Sequence, residues 1–286
     1  MAVCEVCYRH CAIPEGGSGF CGVRTCRDGR VVPANYGRVT ALALDPIEKK
    51  PLHRFYPGSM ILSVGSYGCN LRCPFCQNYE ISWSEEVADR AEDAAYMTPE
   101  MLADTAEMYR KKGNIGLAFT YNEPLIAYEF VRDTARLTTE RGMKNVLVSN
   151  GMAELSVLEE LRPYIHAMNI DLKGFTDRYY GEVLQGSRKM VMDFIREAVR
   201  FCHVELTTLI IPGENDTPEE IRELSSWISD LTDAHGNRIG QNIPLHLSRF
   251  FPRFHMTDRD ATDVGLIYRL KLVAEKNLNY VYTGNW

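Results

Sequence analysis

From Met60 onward, short apolar and β-branched runs alternate with longer stretches in which apolar residues recur every three to four positions. The short runs, Met60–Val64, Ile115–Thr120, Asn145–Ser149, Ala167–Asp171, Val204–Ile211 and Ile243–Leu247, predict strands. The longer stretches, Pro99–Lys112, Leu125–Arg141, Ala153–Leu161, Lys189–Phe201, Pro218–Leu231 and Ala261–Asn277, predict helices. Thr98-Pro99-Glu100 and Thr217-Pro218-Glu219-Glu220 are strong helix starts: an N-cap threonine, proline at the first helical position, and acids in the first turn. Strand and helix alternating in this way predict a parallel sheet with helices outside it. Residues 1 to about 35 break the pattern, being rich in Cys and Gly around the turn-forming run Pro14-Glu15-Gly16-Gly17-Ser18-Gly19. Such a segment is too small and polar for its own core, so it is expected to fold around a metal or against the main domain. Residues 36 to about 60, with Pro46-Ile47-Glu48-Lys49-Lys50-Pro51 and Tyr56-Pro57-Gly58, predict a proline-punctuated connector without a long helix. The expected division is therefore a cysteine-rich segment and connector over 1–59, then an α/β domain over 60–286.

Composition narrows the class. The chain of 286 residues suffices for one large α/β domain with a small appendage, and 45% hydrophobic and 24% charged residues are ordinary for a globular protein. A net charge of -6 argues against a broad basic surface for nucleic acid. No apolar run of about 18 residues exists to span a membrane. The start, Met1-Ala2-Val3-Cys4-Glu5, lacks the basic and apolar regions of a signal peptide, which predicts a cytoplasmic protein. Nine cysteines, odd in number and clustered in the first 76 residues, do not suit a disulfide framework. They stand at Cys4, Cys7, Cys11, Cys21 and Cys26, then at Cys69, Cys73 and Cys76; Cys202 is alone and reads as a small hydrophobe.

The stretch Gly68-Cys69-Asn70-Leu71-Arg72-Cys73-Pro74-Phe75-Cys76-Gln77-Asn78 places three cysteines, spaced C-x3-C-x2-C, on the loop after the first predicted strand. Three thiolates from one loop suit a cubane 4Fe-4S cluster and leave one iron without a protein ligand, open to substrate. The plain alternatives are a zinc site, for which the loop offers no obvious fourth ligand, and three buried free cysteines.

This motif, with the aromatic Phe75 just before the last cysteine, resembles that of the radical S-adenosylmethionine (radical SAM) superfamily. The resemblance implies that SAM chelates the open iron of a 4Fe-4S cluster. It also implies that one electron from the reduced cluster splits SAM into methionine and a 5'-deoxyadenosyl radical, which abstracts hydrogen from a substrate. It further implies a partial (β/α)6 TIM-like barrel, oxygen-free handling and a reductant such as flavodoxin or ferredoxin. A cysteine motif where a doubly wound fold carries a Gly-rich phosphate loop agrees with the barrel, whose function sits at the C-terminal strand ends.

The second strand is followed by Tyr121-Asn122-Glu123-Pro124, which resembles the family's Gly-Gly-Glu-Pro element at Glu123 and Pro124 only; the resemblance implies that Glu123 holds the SAM amino group. Ordinary helix-start chemistry is the plainer reading of the same carboxylate. The third strand ends Val148-Ser149-Asn150-Gly151 and the fourth ends Ile170-Asp171-Leu172-Lys173-Gly174. These are similar to elements of glycyl-radical-activating enzymes that surround the methionine part of SAM, so Asn150, Asp171 and Lys173 become cofactor-site candidates. Val148 stands where those enzymes carry an acid. On the fifth strand Thr208 and Ile210 are candidate adenosine contacts, with core packing the alternative, and the sixth is expected to bring His246 and Arg249 to the barrel mouth.

Together with Gly19-Phe20-Cys21-Gly22-Val23-Arg24 and Tyr282-Thr283-Gly284-Asn285, these elements resemble the AmmeMemoRadiSam system radical SAM enzymes, relatives of the pyruvate formate-lyase activating enzymes. Related chains often continue into a tail with more cysteines, whereas this sequence ends at Trp286. Three readings stay open: a radical SAM enzyme acting on a small molecule or on a protein partner from the same gene system, a glycyl-radical-enzyme activase, and a non-catalytic cysteine-rich metal-binding module. Cys4, Cys7, Cys11 and Cys21, with Cys26 as a spare, are expected to hold either zinc or a second iron-sulfur cluster, free thiols being the alternative.

Overall fold

The computed structural model describes residues 1–83 and 94–286. Among these residues the main sheet has eight strands in sequential order: β1 (Ala41–Pro46), β2 (Met60–Gly65), β3 (Asn114–Phe119), β4 (Lys144–Ser149), β5 (Ala167–Asp171), β6 (His203–Ile210), β7 (Leu245–Arg249) and β8 (Val281–Gly284). From β2 to β8 every neighbour is parallel, and β1 runs antiparallel along the edge of β2. The helices α1 (Pro99–Met108), α2 (Tyr128–Glu140), α3 (Leu155–Leu161), α4 (Arg188–Ala198), α5 (Pro218–Ser229) and α6 (Val264–Ala274) lie in the connections between strands. Thr98 caps α1 by accepting from the Met101 amide, and Thr217 caps α5 by accepting from the Glu220 amide. All six predicted strands and all six predicted helices are present, within a few residues at their ends.

The two faces of the sheet are separated by the alternation of side chains along each strand. One face, carrying Leu62, Leu117, Leu147, Met168, Leu206 and Leu245, shares a large apolar core with the helices. The other carries Ile61, Ala118, Val146 and Ala167 and is covered by Ile47, Leu52 and Phe55 from the segment between β1 and β2. That segment also carries His53 to within 4.6 Å of the Tyr282 ring on β8. The chain leaving the first strand thus touches the last, and the sheet curls into an open barrel whose inside is plugged by this segment.

The boundary expected after residue 59 falls inside this architecture. Residues 41–46 are a strand of the sheet and 47–56 fill its concave side, because their apolar residues find their burial there. Pro46 ends β1 on the outer edge, where a missing ladder donor is tolerated. Residues before 40 carry short two-stranded pairings, Ala2–Val3 with Ala12–Ile13, Arg24–Arg27 with Arg30–Pro33, and Arg38–Val39 with Ala95–Tyr96. No helix of the described residues is long and apolar enough to cross a membrane.

Candidate active site

The cysteine loop leaves the C-terminal end of β2, with Cys73 buried and Cys69 and Cys76 half-buried. Gly68 adopts φ +88, and a Cβ there would stand 2.6 Å from Val23 Cγ1 and 2.8 Å from the Cys21 carbonyl. Glycine is required both by the left-handed turn and by that close approach. The Leu71 amide donates to Cys69 Sγ at 3.4 Å, and the Asn150 side-chain amide approaches the same sulfur at 3.7 Å. Burial pushes the Cys73 thiol up to about 12, against the opposing pull of the Lys173 ammonium. Burial likewise raises Cys69 well above its ordinary range. Buried thiols beside a fixed cation suit a metal centre, which displaces the protons and leaves the thiolates neutralised. The donor set of three thiols with an adjoining ammonium therefore fits an iron-sulfur cluster. Phe75 is buried in the main core and anchors the loop between Cys73 and Cys76.

Glu123, Asn150, Asp171 and Lys173 come together at the adjoining strand ends. Glu123 is 2% exposed; Oε1 accepts from the Leu125 amide at 3.0 Å and the Ser149 hydroxyl at 2.7 Å, while Oε2 accepts from the Asn150 amide at 2.8 Å. It is therefore a helix-start carboxylate and a strand-end clamp at once. Burial drives its pKa up to about 7 against those three bonds, with the Asp171 charge adding to the rise. Asn150 donates to Asn70 Oδ1 at 2.9 Å and accepts from the Met152 amide, so its side chain ties the cysteine loop to the end of β4. Lys173 Nζ lies 2.8 Å from Asp171 Oδ2. Its burial favours the neutral amine, but Asp171 and the Cys73 sulfur outweigh burial and hold the ammonium well above its ordinary value.

Three expected contacts lie elsewhere. Ile210 belongs to the core shared with the helices, and Thr208, one alternation earlier on the same side, is fully buried with its hydroxyl donating to the Leu172 carbonyl at 2.7 Å. Neither faces the inside of the barrel. His246 is buried within the sheet rather than at its mouth, with Nε2 2.7 Å from Glu205 Oε2 and its ring stacked on Tyr282. Arg249 does end β7, where its Nε donates to the Thr262 carbonyl at 2.8 Å.

Sequence reading passed over three other residues. Asn215 bonds the Lys173 and Leu209 carbonyls and the Ile211 amide, holding the lysine turn; its place in Gly213-Glu214-Asn215-Asp216 was the available signal. Tyr121, at φ +75, turns its ring over Gly65 and donates to Asp45 Oδ2 at 3.1 Å. The same carboxylate takes Lys50 at 2.8 Å and the Ser63 hydroxyl at 2.9 Å, forming a buried polar group on the concave side. Outside the barrel, Cys4, Cys7, Cys11 and Cys21 line one narrow cavity, whereas the Cys26 thiol points to Glu15 at 3.4 Å and is no spare for the set.

Comparison with known proteins agrees with this geometry. Residues 63–227 match the model of the Radical SAM superfamily. An uncharacterized protein of Methanocaldococcus jannaschii is 38% identical over 286 residues, covering 99% of this chain and 80% of that protein. The pyruvate formate-lyase 1-activating enzyme of Escherichia coli is 24% identical over 185 residues, covering 63% of this chain and 71% of the enzyme. In fold, Streptococcus suis SuiB bound to S-adenosylmethionine aligns with a TM-score of 0.59 at 13% identity, over 79% of this chain and 52% of SuiB. The chain belongs to the radical SAM superfamily and is a radical SAM enzyme. Its family implies a 4Fe-4S cluster and SAM as cofactors, and the metal-binding module without catalysis is set aside.

Proposed function

We propose that Cys69, Cys73 and Cys76 ligate the 4Fe-4S cluster, and that Glu123, Asn150, Asp171 and Lys173 bind and orient SAM beside it. The carrying observation is that one short loop presents three thiols, Cys73 buried and Cys69 and Cys76 half-buried, with the Lys173 ammonium acting on Cys73 and the Glu123–Asn150 clamp at the adjoining strand end. When bound, the cluster and SAM together supply a 5'-deoxyadenosyl radical that takes a hydrogen atom from substrate. Lys173 offsets thiolate charge at Cys73, and its bond to Asp171 fixes where that cation sits. Glu123 orders Ser149 and Asn150 and keeps a lone pair on Oε2 for an ammonium, where a charge-assisted bond contributes about 1.5–3 kcal/mol. Phe75 and the bonded amides exclude water from Cys69 and Cys73, and Arg249 offers a cation at the end of β7 for an anionic part of cofactor or substrate.

The substrate is a small molecule or a protein partner, and the relatives named as pyruvate formate-lyase activating enzymes favour, as a second reading, activation of a glycyl-radical enzyme. The electron comes from a donor of the flavodoxin or ferredoxin class, and the work is done in the cytoplasm, where thiols stay reduced. The N-terminal cysteines hold a metal, zinc or a second iron-sulfur cluster. The test is the electron paramagnetic resonance spectrum of the reduced, anaerobically reconstituted protein with and without SAM. A spectrum that shifts on adding SAM supports direct binding at the open iron; an unchanged spectrum contradicts it.

A further inference from the structure

Tyr179 carries an orphaned polar atom beside the active site. The residue is fully buried, and among the described residues its hydroxyl has no hydrogen-bond partner. Leaving a buried donor unpaired is costly, so an acceptor from outside the chain belongs next to it. Tyr180 gives the contrast: equally buried, it takes the Lys173 amide on its hydroxyl at 2.9 Å.

The position of Tyr179 is fixed from two sides. It opens a π-turn, Tyr179–Val183, in which the Leu184 amide reaches back five residues to the Tyr179 carbonyl at 3.2 Å. Single π-turns are rare and occur frequently at functional sites. The Tyr179 amide donates to Thr176 Oγ1 at 3.2 Å, and the ring packs so closely on Gly174 that a Cβ there would stand 2.7 Å from Cδ1. Gly174 follows Lys173 directly, so the ring lies against the lysine turn. The far end of the π-turn meets the cysteine loop. There the Arg72 amide donates to the Leu184 carbonyl at 3.1 Å, and a Cβ on Gly186 would stand 2.8 Å from Leu71 Cδ2. Arg72 directly precedes Cys73, so the tyrosine is wedged between Lys173 and the loop that carries Cys73. The electrostatics agree with this placement. Burial holds the phenol well above its ordinary range, negative charge at Cys73 adds to the rise, and the Lys173 ammonium opposes it. The hydroxyl is thus within electrostatic reach of both groups and stays protonated as a donor.

We propose that the Tyr179 hydroxyl donates a hydrogen bond to a sulfur of the 4Fe-4S cluster beside Cys73 and thereby raises the reduction potential of that cluster. The reduced cluster carries one more negative charge than the oxidised one, so a donor stabilises it more. Tyr179 is therefore a tuning residue outside the cysteine motif, and its effect is to ease the one-electron reduction by the external donor. The inference rests on the assignment of the cluster to Cys69, Cys73 and Cys76.

The test is a redox titration of full-length, anaerobically reconstituted protein, followed by electron paramagnetic resonance on the signal that shifts on adding SAM. Tyr179→Phe keeps the ring against Gly174 and removes only the hydroxyl. Its iron content should match wild type, and its midpoint potential should fall by about a tenfold change in the one-electron equilibrium, about 59 mV. In metal-free protein Tyr179→Phe should melt no lower than wild type, because the hydroxyl it removes has no partner there. Tyr180→Phe, which strips the Lys173 amide of its acceptor, should melt lower in the same assay. An unchanged potential in Tyr179→Phe overturns the inference and leaves the cluster assignment standing. Weaker SAM binding at an unchanged potential does the same, since it makes SAM the acceptor. A lower melting temperature of metal-free Tyr179→Phe also overturns it, by giving the hydroxyl a partner within the protein. Wild-type protein with no resonance that depends on Cys73 overturns the cluster assignment, and the inference with it.

Discussion

Glu205 and Glu123 are both buried, and their surroundings drive them in opposite directions. Glu205, on the concave side of β6, accepts from the His53 and Arg54 amides at 3.0 and 2.7 Å and from His203 and His246 at 2.9 and 2.7 Å. Burial alone would raise its pKa, but these four partners bring it down to about 2. Glu123, at the strand-end face, has three partners and Asp171 nearby, and burial carries it up to about 7. Glu205 is a closed structural joint holding the plug segment to the last strands. Glu123 is held in place yet short of compensating charge, the condition of a group awaiting a cationic ligand.

The largest expected effect follows from removing the closed joint. Glu205→Ala leaves two backbone amides and two imidazoles without their acceptor, which should destabilise the fold by about 3–5 kcal/mol. Calorimetry should then show a melting temperature roughly 6–20 °C lower. A change within a degree or two would break the comparison. Next, Gly68→Ala places a methyl against Val23 and the Cys21 carbonyl and strains the left-handed turn, a cost of about 1–3 kcal/mol concentrated at the cysteine loop. Iron incorporation should fall more than overall stability does, and normal iron content in the variant would contradict the proposed close approach. Glu123→Gln should weaken SAM binding about tenfold or more, equivalent to about 1.4 kcal/mol, with iron content unchanged. Unaltered affinity would leave Glu123 a helix-start residue only.

The smallest effect, and the one that sharpens the contrast, is in the pH dependence of stability. Glu205 has a lowered folded-state pKa, so its stabilisation is present above its ordinary value of 4.5 and is lost as pH falls through about 2. Glu123 has a raised one, so its contribution is greatest below 4.5 and is lost as pH rises through about 7. Glu205→Gln should flatten the stability profile on the acid side and Glu123→Gln the profile between about pH 4.5 and 7. Denaturant melts across both ranges check this, and two variants flattening the same range would contradict it.

Periodicity carried the central fold because β2 to β7 and the six helices are long enough to show it. The two edge strands were harder to read. Ala41–Pro46 ends in a proline within a Pro-rich stretch, and Val281–Gly284 has only four residues. The cysteine loop was legible because spacing on one loop is itself the chemistry. Which side of β6 faces inward was hard to read: the alternation Val204-Glu205-Leu206-Thr207 breaks at Thr208, and a parallel strand covered on both faces buries both sets of side chains. Thr208 and Ile210, candidates for adenosine contacts with core packing as the alternative, pack into the core, and Glu205 was passed over between them and His203. His246 likewise looked like a mouth residue because its partner Glu205 is 41 positions away in sequence.

The central claim is that the loop of Cys69, Cys73 and Cys76 makes this chain cleave SAM. The most direct measurement is 5'-deoxyadenosine formed per chain by the reduced Cys73→Ala variant beside wild type, using dithionite as the reductant. Wild type should convert SAM to 5'-deoxyadenosine, and the variant should show none above the protein-free background; undiminished cleavage in the variant would contradict the account.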